Sequence, residues 1–102
     1  MPTIDQIAKL LAAEPDDAFL NFSMAMQLAK EQRGEQALRH FDRVIQVDPS
    51  YTAAYHHKAN TLIGTGRLDE ARRTLEAGIN AAQRVGNMHA QSEMQELLAS
   101  LE

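Results

Sequence analysis

The 102-residue sequence contains no cysteine and no tryptophan, and it has only three prolines. The absence of cysteine excludes disulfides, thiolate chemistry and cysteine-based zinc sites, and it leaves the cellular compartment open. No stretch approaches the run of about 18 apolar residues that a membrane-spanning helix needs. The amino-terminal segment lacks a basic region, and Asp5, Gln6 and Lys9 interrupt its apolar positions, so we expect an amphipathic helix there and not a signal peptide. These features together predict a cytoplasmic protein.

Basic residues are also scarce. Ten Lys and Arg against fourteen Asp and Glu give a net charge of −4. The sequence shows no basic face of the density that phosphate backbones require, so nucleic acid is disfavoured as a partner. A basic amphipathic helix that would lie on a membrane is disfavoured for the same reason. The hydrophobic fraction of 44% and the charged fraction of 24% are ordinary for a soluble globular protein, and the length fits a single domain.

Two helical patterns separated by a turn dominate the middle of the chain. Small and apolar residues recur at helical spacing from Tyr55 to Ile63, stop at the Gly-Thr-Gly turn at 64–66, and resume from Leu68 to Ile79. This stretch resembles a tetratricopeptide repeat (TPR), a helix–turn–helix unit of about 34 residues. The resemblance rests on the residues in the characteristic slots, namely Tyr55, Ala59, Leu62, Gly66, Ala71 and Leu75, whereas Lys58 and Gln83 depart from the pattern.

Shifting the sequence by 34 residues supports the repeat. Residues 18–51 laid on 52–85 are identical at six positions, mostly where helix packing demands small or apolar side chains. The six pairs are Ala25 with Ala59, Leu28 with Leu62, Arg33 with Arg67, Ala37 with Ala71, Arg39 with Arg73, and Ile45 with Ile79. A second shift of the same length lays Pro15 on Pro49, which predicts that the chain begins with the second helix of an incomplete repeat.

The first repeat departs from the second at two places. Asn21 falls in the slot that Tyr55 occupies, and we expect a neighbouring apolar side chain to fill that space. Gly34 lies two residues later than the position corresponding to Gly66, so we expect the two inner turns to differ.

These patterns predict an all-α fold, which the resemblance makes a right-handed superhelix of about two and a half TPR hairpins with a C-terminal capping helix. Thr3 and Gln6 predict a capping box, and Asp16 and Ser50 predict further N-caps. The chain as a whole resembles short bacterial TPR proteins of unassigned function. The predicted single domain, 1–102, divides into a leading half-repeat helix at 3–14, repeat 1 at 16–49, repeat 2 at 50–84 and the capping helix at 87–101.

Histidines are the main candidates for metal or acid–base chemistry. His56 and His57 are adjacent and point about 100° apart on a helix, so they cannot easily bind one metal ion together. His89 has Glu93 four residues later, which favours an ion pair, or alternatively its imidazole reaches the preceding helix and fixes the cap. No serine lies in a G-x-S-x-G motif, and no strand precedes the glycine-rich turn. We therefore expect no enzyme activity, no cofactor and no metal site, and a histidine-centred metal or acid–base site, including His40, is the least favoured alternative.

The resemblance implies a non-catalytic protein-interaction module in which the first helices of successive hairpins line a concave groove. Carried over residue by residue, it gives the candidate partner-binding residues Phe19, Phe22, Met26, Lys30, His56, Asn60 and Ile63. The first three place much apolar area on one helix face, which is typical either of an interface or of a core covered by a terminal helix. We expect a peptide or a helix of a protein partner to dock there, and the alternative is a homodimer formed through the same face.

Overall fold

The computed structural model describes residues 2–102, and this part of the chain contains six α-helices and no strand. Consecutive helices pack against each other. In addition, α2 contacts α4 and α4 contacts α6, whereas α1, α3 and α5 make no contacts with one another within residues 2–102. The helices are α1 (Ile4–Ala13), α2 (Ala18–Lys30), α3 (Gly34–Val47), α4 (Thr52–Gly64), α5 (Leu68–Val85) and α6 (Met88–Ser100).

This contact pattern is that of stacked helix hairpins. The helices α2, α4 and α6 form an inner layer, and α1, α3 and α5 form an outer layer. The predicted all-α superhelical stack is therefore confirmed. Among the helices described for residues 2–102, none combines the length and the apolar character needed to cross a membrane.

The turn before a helix determines the residue at which the helix begins. Thr3 and Gln6 form the predicted capping box, with the Thr3 amide donating to Gln6 Oε1 at 2.8 Å. The predictions for Asp16 and Ser50 were wrong, because each is a central residue of a turn, directly after the proline in that turn. The turn is closed by a hydrogen bond from the Asp17 amide to the Glu14 carbonyl, so α2 begins one residue later and Asp17 caps it.

The two inner turns share one geometry, contrary to the expectation from their glycine positions. The Arg33 amide donates to the Leu28 carbonyl at 2.9 Å, and the Arg67 amide donates to the Leu62 carbonyl at the same distance. Such a hydrogen bond, from an amide past the end of a helix to a carbonyl in its last turn, requires a residue in the left-handed conformation. Gly66 supplies it in the second hairpin with φ of 78°, and Gln32 supplies it in the first with φ of 61°.

Gln32 adopts the left-handed conformation, which is unfavourable for a residue with a side chain. We therefore expect Gln32→Gly to stabilise the protein. The left-handed conformation costs a non-glycine residue about 1–2 kcal/mol, and the added freedom of glycine in the unfolded chain offsets about 0.4–1 kcal/mol of this gain. The free energy of unfolding should rise by about 0.5–1 kcal/mol in urea titrations. The reverse exchange, Gly66→Gln, should lower it, and a stabilised Gly66→Gln variant would contradict the shared geometry of the turns.

In the part of the core that lies between α4, α5 and α6, the helices approach each other closely. A Cβ atom added to Gly78 of α5 would lie 2.6 Å from the Met94 sulfur of α6 and 2.6 Å from Tyr55 Cβ of α4. Glycine is therefore required at the point where these three helices meet. Four alanines in the slots predicted for helix contacts likewise have no exposed surface, namely Ala25, Ala37, Ala59 and Ala71.

Asn21 itself fills the slot that corresponds to Tyr55, so the expectation of a neighbouring apolar side chain there was wrong. Its Nδ2 donates to the carbonyls of Pro15 at 3.0 Å and Asp17 at 2.9 Å. The amide oxygen therefore accepts a hydrogen bond from His40 Nδ1, at 3.0 Å. In the second repeat the Tyr55 hydroxyl donates to the Pro49 carbonyl at 2.8 Å, so different side chains hold equivalent proline carbonyls in the two repeats.

Candidate binding groove

A groove with a volume of about 550 Å³ opens between α2 and α4 of the inner layer. Met26 and Lys30 line it from α2, and His57 and Asn60 line it from α4. Phe41 of α3, which has no exposed surface, lies at its base. The groove thus combines an apolar base with polar side chains along its walls, a common composition for binding sites.

Three of the residues predicted from the sequence meet in this groove: Met26, Lys30 and Asn60. The Met26 side chain is half-buried and also packs against the core of the first repeat, whereas Lys30 and Asn60 are exposed. These three residues place an apolar contact, a cation and an amide within one depression.

The other four predicted residues do not line the groove. Phe19, near the start of α2, is 66% exposed. Ile63 is half-buried and packs against the cluster formed by Leu38, Leu62 and Ala71. The remaining two, His56 and Phe22, are half-buried.

Phe22 is part of an aromatic cluster that supports one wall of the groove. Its ring centroid lies 5.1 Å from that of Tyr51, 5.6 Å from that of His57 and 6.1 Å from that of Phe41. Offset and edge-to-face pairs at these distances are favourable beyond the area they bury. Phe22 therefore packs mainly as a core residue, and it holds His57 at the groove while His56 stacks alongside at 5.7 Å.

The groove carries little charge at neutral pH. Burial lowers the pKa of His57 below its ordinary value, His56 adds to this effect, and Glu93 opposes it. His57 is therefore neutral at pH 7. Among the residues described as lining the groove, Lys30 is then the one ionised side chain, and no ion pair within residues 2–102 involves it.

Buried histidines make the stability of the protein dependent on pH. Burial lowers the pKa of His40, as it does that of His57, and the charge of Arg39 lowers it further. Because the unfolded chain binds protons more readily, stability is complete above the ordinary histidine value of 6.5 and is lost as the pH falls from there through the lower folded pKa values. We expect urea titrations to show this loss in the wild type.

Replacing both partly buried histidines tests this pH dependence. His40→Gln combined with His57→Gln should flatten the profile just below pH 6.5. A double variant that keeps the full pH dependence of the wild type in this range would contradict the assignment.

His89 does not reach the preceding helix, so that alternative was wrong. Its side chain is 87% exposed, and Nε2 lies 3.2 Å from Glu93 Oε1 one turn further along α6. Within residues 2–102 there is no group of three or more His, Asp or Glu side chains placed to hold a metal ion.

Among the groove residues absent from the set predicted from the sequence are His57 and Gln27. His57 lies three residues before Asn60, which indicates a shared helix face, but His56 at four residues before Asn60 fits that face equally well. Gln27 is buried with 9% of its surface exposed, and it lines the groove. Its signal was weaker: a polar residue directly before the packing residue Leu28 and one turn after Met24.

Comparison with known proteins identifies close structural relatives. A family model described as "Tetratricopeptide repeat" matches residues 28–101, which is more than half of the chain. A TPR repeat-containing protein of Pseudomonas aeruginosa is 29% identical over 99 residues, which cover 97% of this chain and 94% of the relative. A peroxisomal targeting signal receptor of Candida albicans is 30% identical over 81 residues, which cover 79% of this chain but 14% of the receptor.

Solved structures show the same architecture. The solution structure of a protein from Bordetella parapertussis superposes with a TM-score of 0.85 at 29% identity, covering 99% of this chain and 88% of the other. A tetratricopeptide repeat domain protein from Salinibacter ruber gives a TM-score of 0.81 at 28% identity, with coverages of 86% and 89%. The TPR2B domain of yeast Sti1, solved as a complex with pHsp70, gives 0.89 over 96% of this chain and 78% of the other, and at 24% identity this similarity concerns the fold.

Proposed function

Because the chain belongs to the tetratricopeptide repeat family, whose members mediate protein–protein interaction, we propose that it binds a peptide segment of a protein partner in the groove between α2 and α4. The family and its fold are known as non-catalytic interaction modules. The observation that carries the proposal is the joint placement of Met26, Lys30 and Asn60 in one depression with an apolar base.

Each of these side chains has a distinct part in the proposed binding. Met26 provides an adaptable apolar surface for a ligand side chain. Asn60 offers a hydrogen-bond donor and an acceptor. Lys30 has no ion-pair partner among residues 2–102 and would pair with a carboxylate of the ligand. The preferred ligand is therefore a peptide that carries an acidic group beside an apolar side chain.

Selection from a phage-displayed library of random linear peptides, followed by calorimetric titration of the selected peptide, tests the proposal. We expect Lys30→Glu to weaken binding by about tenfold or more, equivalent to about 1.4 kcal/mol, because it replaces an attraction with a repulsion. Arg84→Glu makes the same change of charge on the exposed end of α5 and should leave the affinity nearly unchanged. A library that yields no binder, or equal effects of the two variants, would overturn the proposal.

The alternative function is self-association, in which a second copy of the chain covers the inner layer. The exposure of Phe19 is the observation that favours it. Sedimentation equilibrium of the wild type, run before the titrations, separates the two functions. A dimer that dissociates on Phe19→Asp would assign this surface to a second copy of the chain, whereas a monomer leaves the groove open to an external peptide.

A further inference from the structure

Gln27 is a buried amide for which the fold supplies no partner. The residue has 9% of its surface exposed, and within residues 2–102 no hydrogen bond reaches its side chain. Every fully enclosed side-chain nitrogen or oxygen in this part of the chain does have a partner. The Gln27 amide therefore reaches solvent, and the opening available to it is the groove that the residue lines.

The comparison with Asn21, two turns earlier in the same helix, shows what this protein does with a structural amide. Asn21 is 3% exposed, and it donates to the carbonyls of Pro15 and Asp17 and accepts from His40. Its hydrogen-bonding capacity serves the fold. No group of the fold within residues 2–102 uses the capacity of Gln27, so its amide is open to solvent or to a ligand in the groove.

We propose that Gln27 makes the groove selective for extended segments by pairing with one peptide unit of the ligand. Its Oε1 accepts from a main-chain N–H of the ligand, and its Nε2 donates to a main-chain carbonyl. This inference rests on the proposed peptide-binding function, and it names the residue at the base of the groove that reads the ligand main chain.

The same chemistry decides between an extended segment and a helix as the ligand. A helix uses the N–H and carbonyl groups of its interior in its own hydrogen bonds, and with its side chains it is about 10–12 Å across. The main chain of a helix interior therefore cannot pair with the Gln27 amide. An extended segment presents free main-chain donors and acceptors along its length. Lys30 lies one turn after Gln27 on α2, so an acidic group next to the paired peptide unit would reach its ammonium.

The substitution Gln27→Met separates this binding role from a structural one. Methionine has nearly the shape of glutamine but lacks both polar amide atoms. We expect the variant to keep the melting temperature of the wild type, because the substitution removes no hydrogen bond of the fold. We also expect it to bind the library-selected peptide about tenfold or more weakly, because a site built around a hydrogen bond rejects a partner that cannot make it.

Main-chain N-methylation of the selected peptide, one position at a time, provides the matching change in the ligand. One N-methyl position should weaken binding to the wild type by about tenfold and have little further effect on Gln27→Met, since both changes remove the same hydrogen bond. Thr74→Val is the control variant, because Thr74 is equally buried at 9% exposure but lines a separate depression involving α5. Its affinity for the peptide should not change.

Three results would overturn the inference. If Gln27→Met binds the selected peptide as tightly as the wild type, Gln27 does not read the ligand while the proposed function stands. If the variant loses melting temperature together with affinity, Gln27 has a structural role. If the library yields no binder to the wild type, the proposed peptide-binding function fails, and the inference fails with it.

Discussion

Gly78→Ala will lower the free energy of unfolding by about 1–2 kcal/mol, although alanine is the better helix former by about 1 kcal/mol. The added Cβ would lie 2.6 Å from both the Met94 sulfur and Tyr55 Cβ. The sulfur is the far part of a flexible side chain and can move. Tyr55 Cβ is fixed to the backbone of α4, so α4 and α5 must separate. Overpacking therefore outweighs helix propensity.

Gly64→Ala is the matched control for this substitution. Gly64 is the last residue of α4, and nothing lies within 4 Å of a Cβ added there. Helix propensity acts alone at that site, so the free energy of unfolding should stay the same or rise slightly. In thermal unfolding we expect Gly78→Ala to lower the midpoint by about 4–16 °C. Equal midpoints for the two variants would contradict the close approach of the helices at Gly78.

Asn21→Leu will lower the free energy of unfolding by about 2–4 kcal/mol, despite nearly equal side-chain size. The change leaves the Pro15 carbonyl and the His40 Nδ1–H without their partners at 3.0 Å each. A buried polar group that loses its partner costs about 1–3 kcal/mol. The Asp17 carbonyl is less affected, because it still accepts from the backbone amide of residue 21 at 3.1 Å.

Tyr55→Phe provides the scale for this loss, because it removes one hydrogen bond from the equivalent slot of the second repeat. It leaves only the Pro49 carbonyl without its partner and should cost about 1 kcal/mol in urea titrations. An Asn21→Leu variant as stable as Tyr55→Phe would mean that the network around Asn21 contributes no more than a single hydroxyl. A variant as stable as the wild type would mean that an apolar side chain suits the slot, as the sequence pattern alone suggests.

The fold was predictable because close helix packing restricts the residue type directly. Alanine at 25, 37, 59 and 71 recurs at the repeat period, and all four side chains are enclosed in the structure. The geometry of the inner turns was not predictable in the same way. Gln32 adopts the conformation of Gly66 because the turn requires it, and no residue pattern marks a glutamine for that purpose.

The site was less predictable than the fold, because burial in the groove depends on contacts between helices that sequence spacing does not give. Phe22 is at the spacing of a groove residue, but Tyr51 and Phe41 pack around its ring. His57 rather than its neighbour His56 lines the groove, a difference of one residue that a helical pattern resolves poorly. Gln27 carried only the weak signal of its position between Met24 and Leu28, since the lack of a hydrogen-bond partner in the fold is visible only in the whole structure.

The absence of contacts among α1, α3 and α5 within residues 2–102 has a mechanical consequence. Adjacent hairpins are joined mainly where α3 packs against α4, whereas the contact between α2 and α4 is small by comparison. We expect hinge bending that keeps the α3–α4 contact to widen or narrow the space between α2 and α4 without breaking hydrogen bonds inside any helix. The curvature of the stack would then adjust to ligand side chains of different thickness.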